Sequence, residues 1–186
     1  TSVLHQFVRD HPFGALTVWA DDGLEVDHIP LELQANAGEL GTLRGHVSRA
    51  NTVWQRLDPS IPALVVFQGP HAYISPSWLS GRSTHGKVAP SWNYAVVHAY
   101  GTVRIQHDPS WLREHLAALS AHQEAGRADP WHLGEAPSHF TGKMVEYIVG
   151  LEISITRLLG KFQLGQQYRE SDRQGVIEGL SREAHT

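Results

Sequence analysis

Thirteen consecutive residues, Tyr94–Gln106, open with strict alternation: Tyr94, Val96, His98 and Tyr100 on one side, Ala95, Val97 and Ala99 on the other. A period of two over that length is a strand, since successive side chains of a strand point to opposite faces. A strand so long must be paired along both edges, so the chain has to build a sheet around it. Leu151–Leu158 repeats the pattern, with Leu151, Ile153 and Ile155 set against Glu152, Ser154 and Thr156. Ala15–Ala20 alternates likewise, and Asp21-Asp22-Gly23 predicts a hairpin turn into a strand at Glu25–Ile29. Pro30 has no N–H for a ladder and ends that strand or places it at an edge.

The remaining segments fill in around these strands. A turn at Asn36–Gly41 leads to a strand at Gly41–Ser48, and Pro62–Gln68 is a dense apolar strand broken by Gly69-Pro70, with His71–Ser75 extended beyond it. Helices are expected over Thr1–Asp10, after Asn51 as N-cap (Val53, Trp54 and Leu57 on one face), and after Asp108-Pro109. The last of these carries the stripe Leu112, Leu116 and Leu119 and is closed by Gly126; His115 and His122 flank the stripe as solvated or half-buried residues. Ser138–Val149 predicts a helix with Phe140, Met144, Tyr147 and Ile148 inward, and Ser171–Arg182 one with Val176, Ile177 and Leu180 inward. Trp78–Ala89, polar and rich in Gly and Ser, predicts a mobile loop. No steady βαβ rhythm runs through the chain, so a parallel sheet is not expected. The expected class is mainly β with inserted helices (α+β): one domain over residues 1–186, an antiparallel barrel of six strands that closes its own edges, with a C-terminal helix.

Composition narrows the function. The 15 Lys and Arg are scattered singly and the formal net charge is −4, so the basic face of a duplex-gripping protein is missing and direct nucleic-acid binding is not expected. There is no cysteine, which removes disulfides, zinc–thiolate sites and thiol catalysis together. No apolar run approaches the ~18 residues of a membrane span, and a cytoplasmic location is the expectation. Dinucleotide, phosphate-loop, H-E-x-x-H and G-x-S-x-G motifs are all missing from the sequence.

Three patches carry chemistry. Val65–Trp78 brings His71, Tyr73, Ser75, Ser77 and Trp78 together after a buried strand, and Pro90–Tyr94 supplies Trp92 and Asn93. Apolar walls with a few polar groups suit a flat heteroaromatic ligand, and aromatic packing at a barrel rim accounts for the spacing equally well. Gly45–Asn51 runs from a strand end into a helix start, where backbone N–H groups, Ser48 and the planar fork of Arg49 suit a phosphate; capping by Ser48 or Asn51 with a solvated Arg49 is the competing reading.

The same patches resemble the PaiB family, FMN-binding negative transcriptional regulators, through His28-Ile29-Pro30, Gly45–Asn51, Val65–Trp78, Pro90–Gly101 and Ser171–Ile177. The resemblance spans nearly the whole chain, and Phe67-Gln68-Gly69-Pro70-His71-Ala72-Tyr73-Ile74-Ser75-Pro76 is its most specific phrase. It implies an FMN-binding split barrel acting as a homodimer with flavin at the subunit interface. It also implies that His46, Ser48, Arg49 and Asn51 serve the phosphate and ribityl side, and His71, Tyr73, Ser75, Trp92 and Asn93 the ring side. His28, Lys161 and Gln166 join them as matched positions. Two departures stand out. Relatives carry a Ser, an Asn and a basic residue where this chain has Gly165, Gln167 and Tyr168, and often a Tyr at Leu79. A lost charge-assisted contact would weaken flavin binding by ~1.5–3 kcal/mol. The resemblance implies a flavin-sensing regulator. An FMN-dependent oxidoreductase or flavin reductase on the same barrel is the alternative, with His71 and His98 as acid–base candidates, and the 13 histidines raise a third reading, haem or metal binding.

Overall fold

A computed structural model describes residues 1–184, and its elements follow from the local signals above. Helix α1 (Ser2–Asp10) precedes the hairpin β1 (Phe13–Ala20) and β2 (Gly23–Pro30), paired in register from Phe13↔Pro30 to Ala20↔Gly23. Gly23 closes the turn at φ +129, a conformation an L side chain resists. A short β3 (Glu32–Gln34) pairs antiparallel with β4 (Thr42–Ser48); then come α2 (Val53–Arg56), β5 (Ala63–Ile74), α3 (Gly81–Thr84), β6 (Ser91–Gln106), α4 (Pro109–Glu124), α5 (Ser138–Glu146), β7 (Ile148–Gln163) and α6 (Glu170–Glu183). The sheet order is β2-β1-β5-β6-β7-β4-β3: seven strands, where the sequence leads one to expect six. The extra one is β3, whose three residues are too few to show a period.

Several local expectations are corrected. Strand β5 runs unbroken through Gly69-Pro70. Its register with β1 covers only Leu64–Phe67, so Pro70 falls beyond the stretch where that edge needs an N–H. The expected loop at Trp78–Ala89 starts on the last residue of a 3₁₀ turn (Pro76–Trp78) and contains α3, and Ser80 is tied through its N–H and its hydroxyl to Asp172 at 2.7 and 2.6 Å. Asn51 takes the N–H of Val53 at 2.8 Å, but the residue flanking α2 is Thr52 and the helix is one turn long. On α5 only Val145 is buried; Phe140, Met144 and Tyr147 face outward, as does Ile177 on α6.

The chain divides into two compact units, residues 1–67 with 97–159, and residues 68–96 with 160–186. In the second, Ile74, Leu79 and Val176 form the centre, and Trp78 packs on the helix face made by Gly175 and Gly179. A Cβ at either glycine would overlap the Trp78 carbonyl or its indole ring. The spacing i, i+4 puts both glycines on one face, so α6 lays bare backbone against the tryptophan.

The first unit buries a conventional apolar core, Leu16, Val65, Phe67, Val97, Leu151 and Ile153 among it, with polar exceptions at His5 on α1, Thr42 on β4, His115 on α4 and Glu152 on β7. Helix α4 starts cleanly, Asp108 accepting the Ser110 N–H at 3.0 Å and Pro109 standing at its first position. Its buried face is Leu112, His115 and Leu119, so His115 occupies a core position at 0% exposure rather than a solvated flank. Trp111 stacks on His115, ring centroids 5.4 Å apart, and its ring fills the space left by the absent side chain of Gly150 on β7. The Trp111 indole N–H donates at 3.1 Å to Glu152, which also accepts from Arg104 and faces Arg44 at 3.5 Å. Burial opposes the Glu152 charge, yet these donors and cations outweigh it and hold its carboxyl below the usual range.

Two outcomes follow from this packing. Gly179→Ala forces the Trp78 ring off α6 and destabilises the protein by about 1–3 kcal/mol, even though alanine is intrinsically the better helix former by ~1 kcal/mol; urea unfolding of the variant checks the sign. Burial, then His46, then the charge of Arg44 depress the His115 pKa to about 3. The unfolded chain therefore takes up a proton near pH 6.5 that the folded chain refuses, and stability is complete above that pH and falls as pH drops towards 3. His115 alone makes unfolding easier at pH 5 than at pH 7 by about 2 kcal/mol. The matching His115→Phe variant, which keeps a ring against Trp111, shows a shallower pH dependence in the same titration.

Candidate functional site

Strand β4 sets the first group of candidates. Its odd residues, Leu43, Gly45 and Val47, turn to the core, while Arg44, His46 and Ser48 share the other face. Pairing with β7 places His46 opposite Gly150 and Ser48 opposite Ile148. Gly45 is backbone only because Leu31 and the Pro30 carbonyl occupy the space its Cβ would need. A cleft of about 500 Å³ opens here, lined by His28, Pro30, His46, Ser48, Asn51 and Tyr147 among others. Tyr147 is 67% exposed on its rim.

The polar groups of this cleft differ in how far they are already engaged. Asn51 is fully used: its amide donates to both oxygens of Asp27 at 3.1 and 3.0 Å while its carbonyl caps α2. Arg49 is drawn towards the turn into β7, donating from Nε to the Glu146 carbonyl at 2.7 Å and from Nη2 to the Ile148 carbonyl at 2.8 Å. Ser48 accepts the Ala50 N–H at 3.3 Å and keeps its own hydroxyl proton to give. His28 stands beside Phe13, centroids 6.1 Å apart. His46 bonds through Nδ1 to Nε2 of His115 at 3.0 Å, which leaves Nε2 as its ring nitrogen for a ligand; burial lowers its pKa and keeps it neutral.

The second unit holds the other seven candidates. Strand β6 carries Trp92 at 54% exposure, and β5 carries His71 and Tyr73, the latter 44% exposed. The rings associate, His71–Trp92 at 6.2 Å and Tyr73–Trp92 at 5.9 Å edge to face. His71 Nδ1 lies 3.2 Å from the Gln68 amide nitrogen. Lys161 places Nζ 5.4 Å from the Tyr94 ring centre, a cation over an aromatic face. Ser75 is spent as a cap, its hydroxyl accepting the Ser77 N–H at 3.2 Å. Gln166 braces its own turn, accepting from Leu164 N–H at 3.0 Å and donating to the Phe162 carbonyl.

Within this unit a cleft of about 310 Å³ is lined by His71, Asn93, Leu164, Tyr168, Arg173 and Ile177 among others, and is mostly apolar. The altered C-terminal segment has a local explanation. Gly165 turns at φ +70, Tyr168 donates its N–H to the Gly165 carbonyl at 2.9 Å, and the Tyr168 ring fills the space beside Gly165. A serine there would be strained and would strike the ring, so glycine and tyrosine belong together. His71 lines this cleft; His98 lines neither cleft.

Sequence reasoning missed His115, Trp111 and Glu32 as a connected group, and Tyr168 and Arg173 as cleft residues. The signal for His115 was present: position 115 lies on the buried stripe with 112 and 119. Among the described residues no group of three His, Asp or Glu side chains is arranged to hold a metal ion, and no helix is long and apolar enough to cross a membrane.

Comparison with known proteins gives the family. Residues 1–157 match the family described as "Putative FMN-binding domain". An uncharacterised protein of Emericella nidulans is 34% identical, the match covering 96% of this chain and 85% of the relative. The protease synthase and sporulation protein PAI 2 of Bacillus subtilis is 29% identical over 95% of this chain and 82% of its own length. Among solved structures, the FAD and haem binding protein of Mycobacterium smegmatis superposes with a TM-score of 0.63 over 96% of this chain and 77% of that one, at 16% identity, a likeness of fold. With its antiparallel sheet, its inserted helices and these relatives, the chain belongs to the PaiB family of FMN-binding split-barrel proteins.

Proposed function

We propose that the chain is a cytoplasmic, homodimeric flavin-sensing protein that acts as a negative transcriptional regulator through its FMN state rather than by gripping DNA. The observation that carries the flavin part is the solvent-facing ring cluster of Trp92, Tyr73 and His71: two large aromatics stand about half exposed beside each other. Exposed aromatic surface with polar tips is what a planar heteroaromatic ring covers. These three, with Asn93, would hold the ring of FMN, and Lys161 would lend positive charge. The first unit, taken by itself, offers an acceptor at His46, a donor at Ser48 and a positive charge at Arg49, the groups that suit a ribityl chain and a phosphate. His28 lines that cleft, while Asn51, Ser75 and Gln166 act by holding the backbone beneath. When bound, FMN supplies the electron chemistry, and the side chains supply binding and orientation. Direct DNA contact finds no support in a chain of net charge −4 without a basic cluster.

One observation favours a second reading, an FMN-dependent oxidoreductase: His46 is a neutral imidazole held in a cleft, the form a proton acceptor needs. Oxidation of NADH or NADPH above a no-protein control, with FMN present, selects this reading; turnover equal to the control leaves the regulator.

Purified protein should show flavin absorbance, or bind added FMN with quenching and a raised melting temperature. Micromolar FMN that changes neither overturns the flavin reading. In the same titration Arg49→Ala weakens FMN by about ten- to a hundredfold, the weight of a charge-assisted contact; an unaltered affinity removes Arg49 from the site.

A further inference from the structure

We propose that His115, backed by Glu32, is a positioning residue for His46, presenting it to the first-unit cleft with Nδ1 protonated and Nε2 bare, so that the cleft receives a hydroxyl or imide N–H donor there and not a phosphate oxygen. This rests on the flavin reading only for the identity of the ligand.

The geometry builds the chain of protons from the inside outward. His115 has no exposure, and its Nδ1 has no hydrogen-bond partner. A carboxylate oxygen, Glu32 Oε2, stands 3.9 Å from Nδ1, itself buried and without a hydrogen-bond partner, while the Gln34 amide holds the other carboxylate oxygen at 2.6 Å. A nitrogen lone pair aimed at a carboxylate oxygen is repelled, and an N–H aimed at it is attracted. His115 therefore carries its proton on Nδ1, and its Nε2 is an acceptor. Nε2 meets His46 Nδ1 at 3.0 Å, a distance at which two ring nitrogens share one proton, so that proton belongs to His46. His46 Nε2 is then bare.

The surroundings favour this arrangement over a charged one. Burial, then His46, then Arg44 oppose a positive charge on His115; burial raises the Glu32 pKa, and Arg44, His122 and the Gln34 amide work against that rise and on the side of its carboxylate. Trp111 stacks on the His115 ring and fixes its plane. At the mouth of the chain, His46 accepts while the Ser48 hydroxyl, on the same face of β4, donates. An acceptor and a donor side by side fit a polyol or an imide; a phosphate dianion, which only accepts, meets a lone pair at His46.

Long-range proton–nitrogen NMR on the full chain at neutral pH reads the tautomers directly, with His46 and His115 signals assigned by their loss in His46→Gln and His115→Phe. In wild type both rings show the Nδ1–H pattern. In His115→Phe the His46 ring reverts to the Nε2–H form usual in water. In Glu32→Gln both rings invert, because Gln34 keeps the amide oxygen and the new NH₂ donates to His115. Wild-type His46 in the Nε2–H form overturns the proposal, whatever FMN does. In binding, His115→Phe weakens riboflavin and FMN alike by about tenfold, one hydrogen bond. A loss confined to FMN overturns the donor assignment and puts phosphate at His46. Tautomers as expected in a protein that binds neither flavin overturn the flavin reading and leave the positioning role standing.

Discussion

The first unit depends on one contact, the bond between His115 and His46. A histidine with no solvent exposure leaves its polar atoms costly unless they are partnered. His46 answers one nitrogen at 3.0 Å, and Glu32 stands towards the other. Everything that puts His115 there is packing: the Leu112–Leu119 stripe seats α4, and Trp111 enters the gap at Gly150 and ties itself to Glu152. One helix thus docks through an apolar stripe and a polar chain at once, and the polar chain ends on a cleft side chain.

In the second unit the organising contact is plainer. Trp78 lies on a helix face stripped to backbone by Gly175 and Gly179, and Asp172 at the start of the same helix holds Ser80. These interactions turn a segment of unpromising composition into ordered structure. Its Gly and Ser content reads as mobility only while the partner helix is out of sight.

Much of the fold was legible in local periodicity. Strands β1, β6 and β7 follow from two-residue alternation, β2 and β4 from the turns that precede them, and the start of α4 from the cap chemistry of Asp108-Pro109, none of which needs a distant partner. The misreadings share a cause. Pro70 broke a strand on paper because the reach of its neighbour β1 was unknown. Phe140, Met144 and Tyr147 were turned inward because an apolar residue on a helix is assumed to face a core, and here they face outward. Of the candidate site, the aromatic residues His71, Tyr73 and Trp92 were readable and do associate. The engagement of Asn51 with Asp27 and of Arg49 with two carbonyls was not, since both involve partners at least two dozen residues away.

The sequence by itself determined the class, a mainly antiparallel sheet with inserted helices, and its family, because alternation, turns and the Val65–Trp78 phrase are local properties of a chain. Tertiary structure alone decided which polar side chains are engaged in the scaffold. Ser75, Asn51 and Gln166 look like ligand groups in a string of letters and serve as caps and braces in the fold. His115 looked like a surface residue and proved to be the buried support of His46. Hydrogen-bond saturation is a property of three-dimensional neighbours, and in this chain the decisive pair is 69 residues apart.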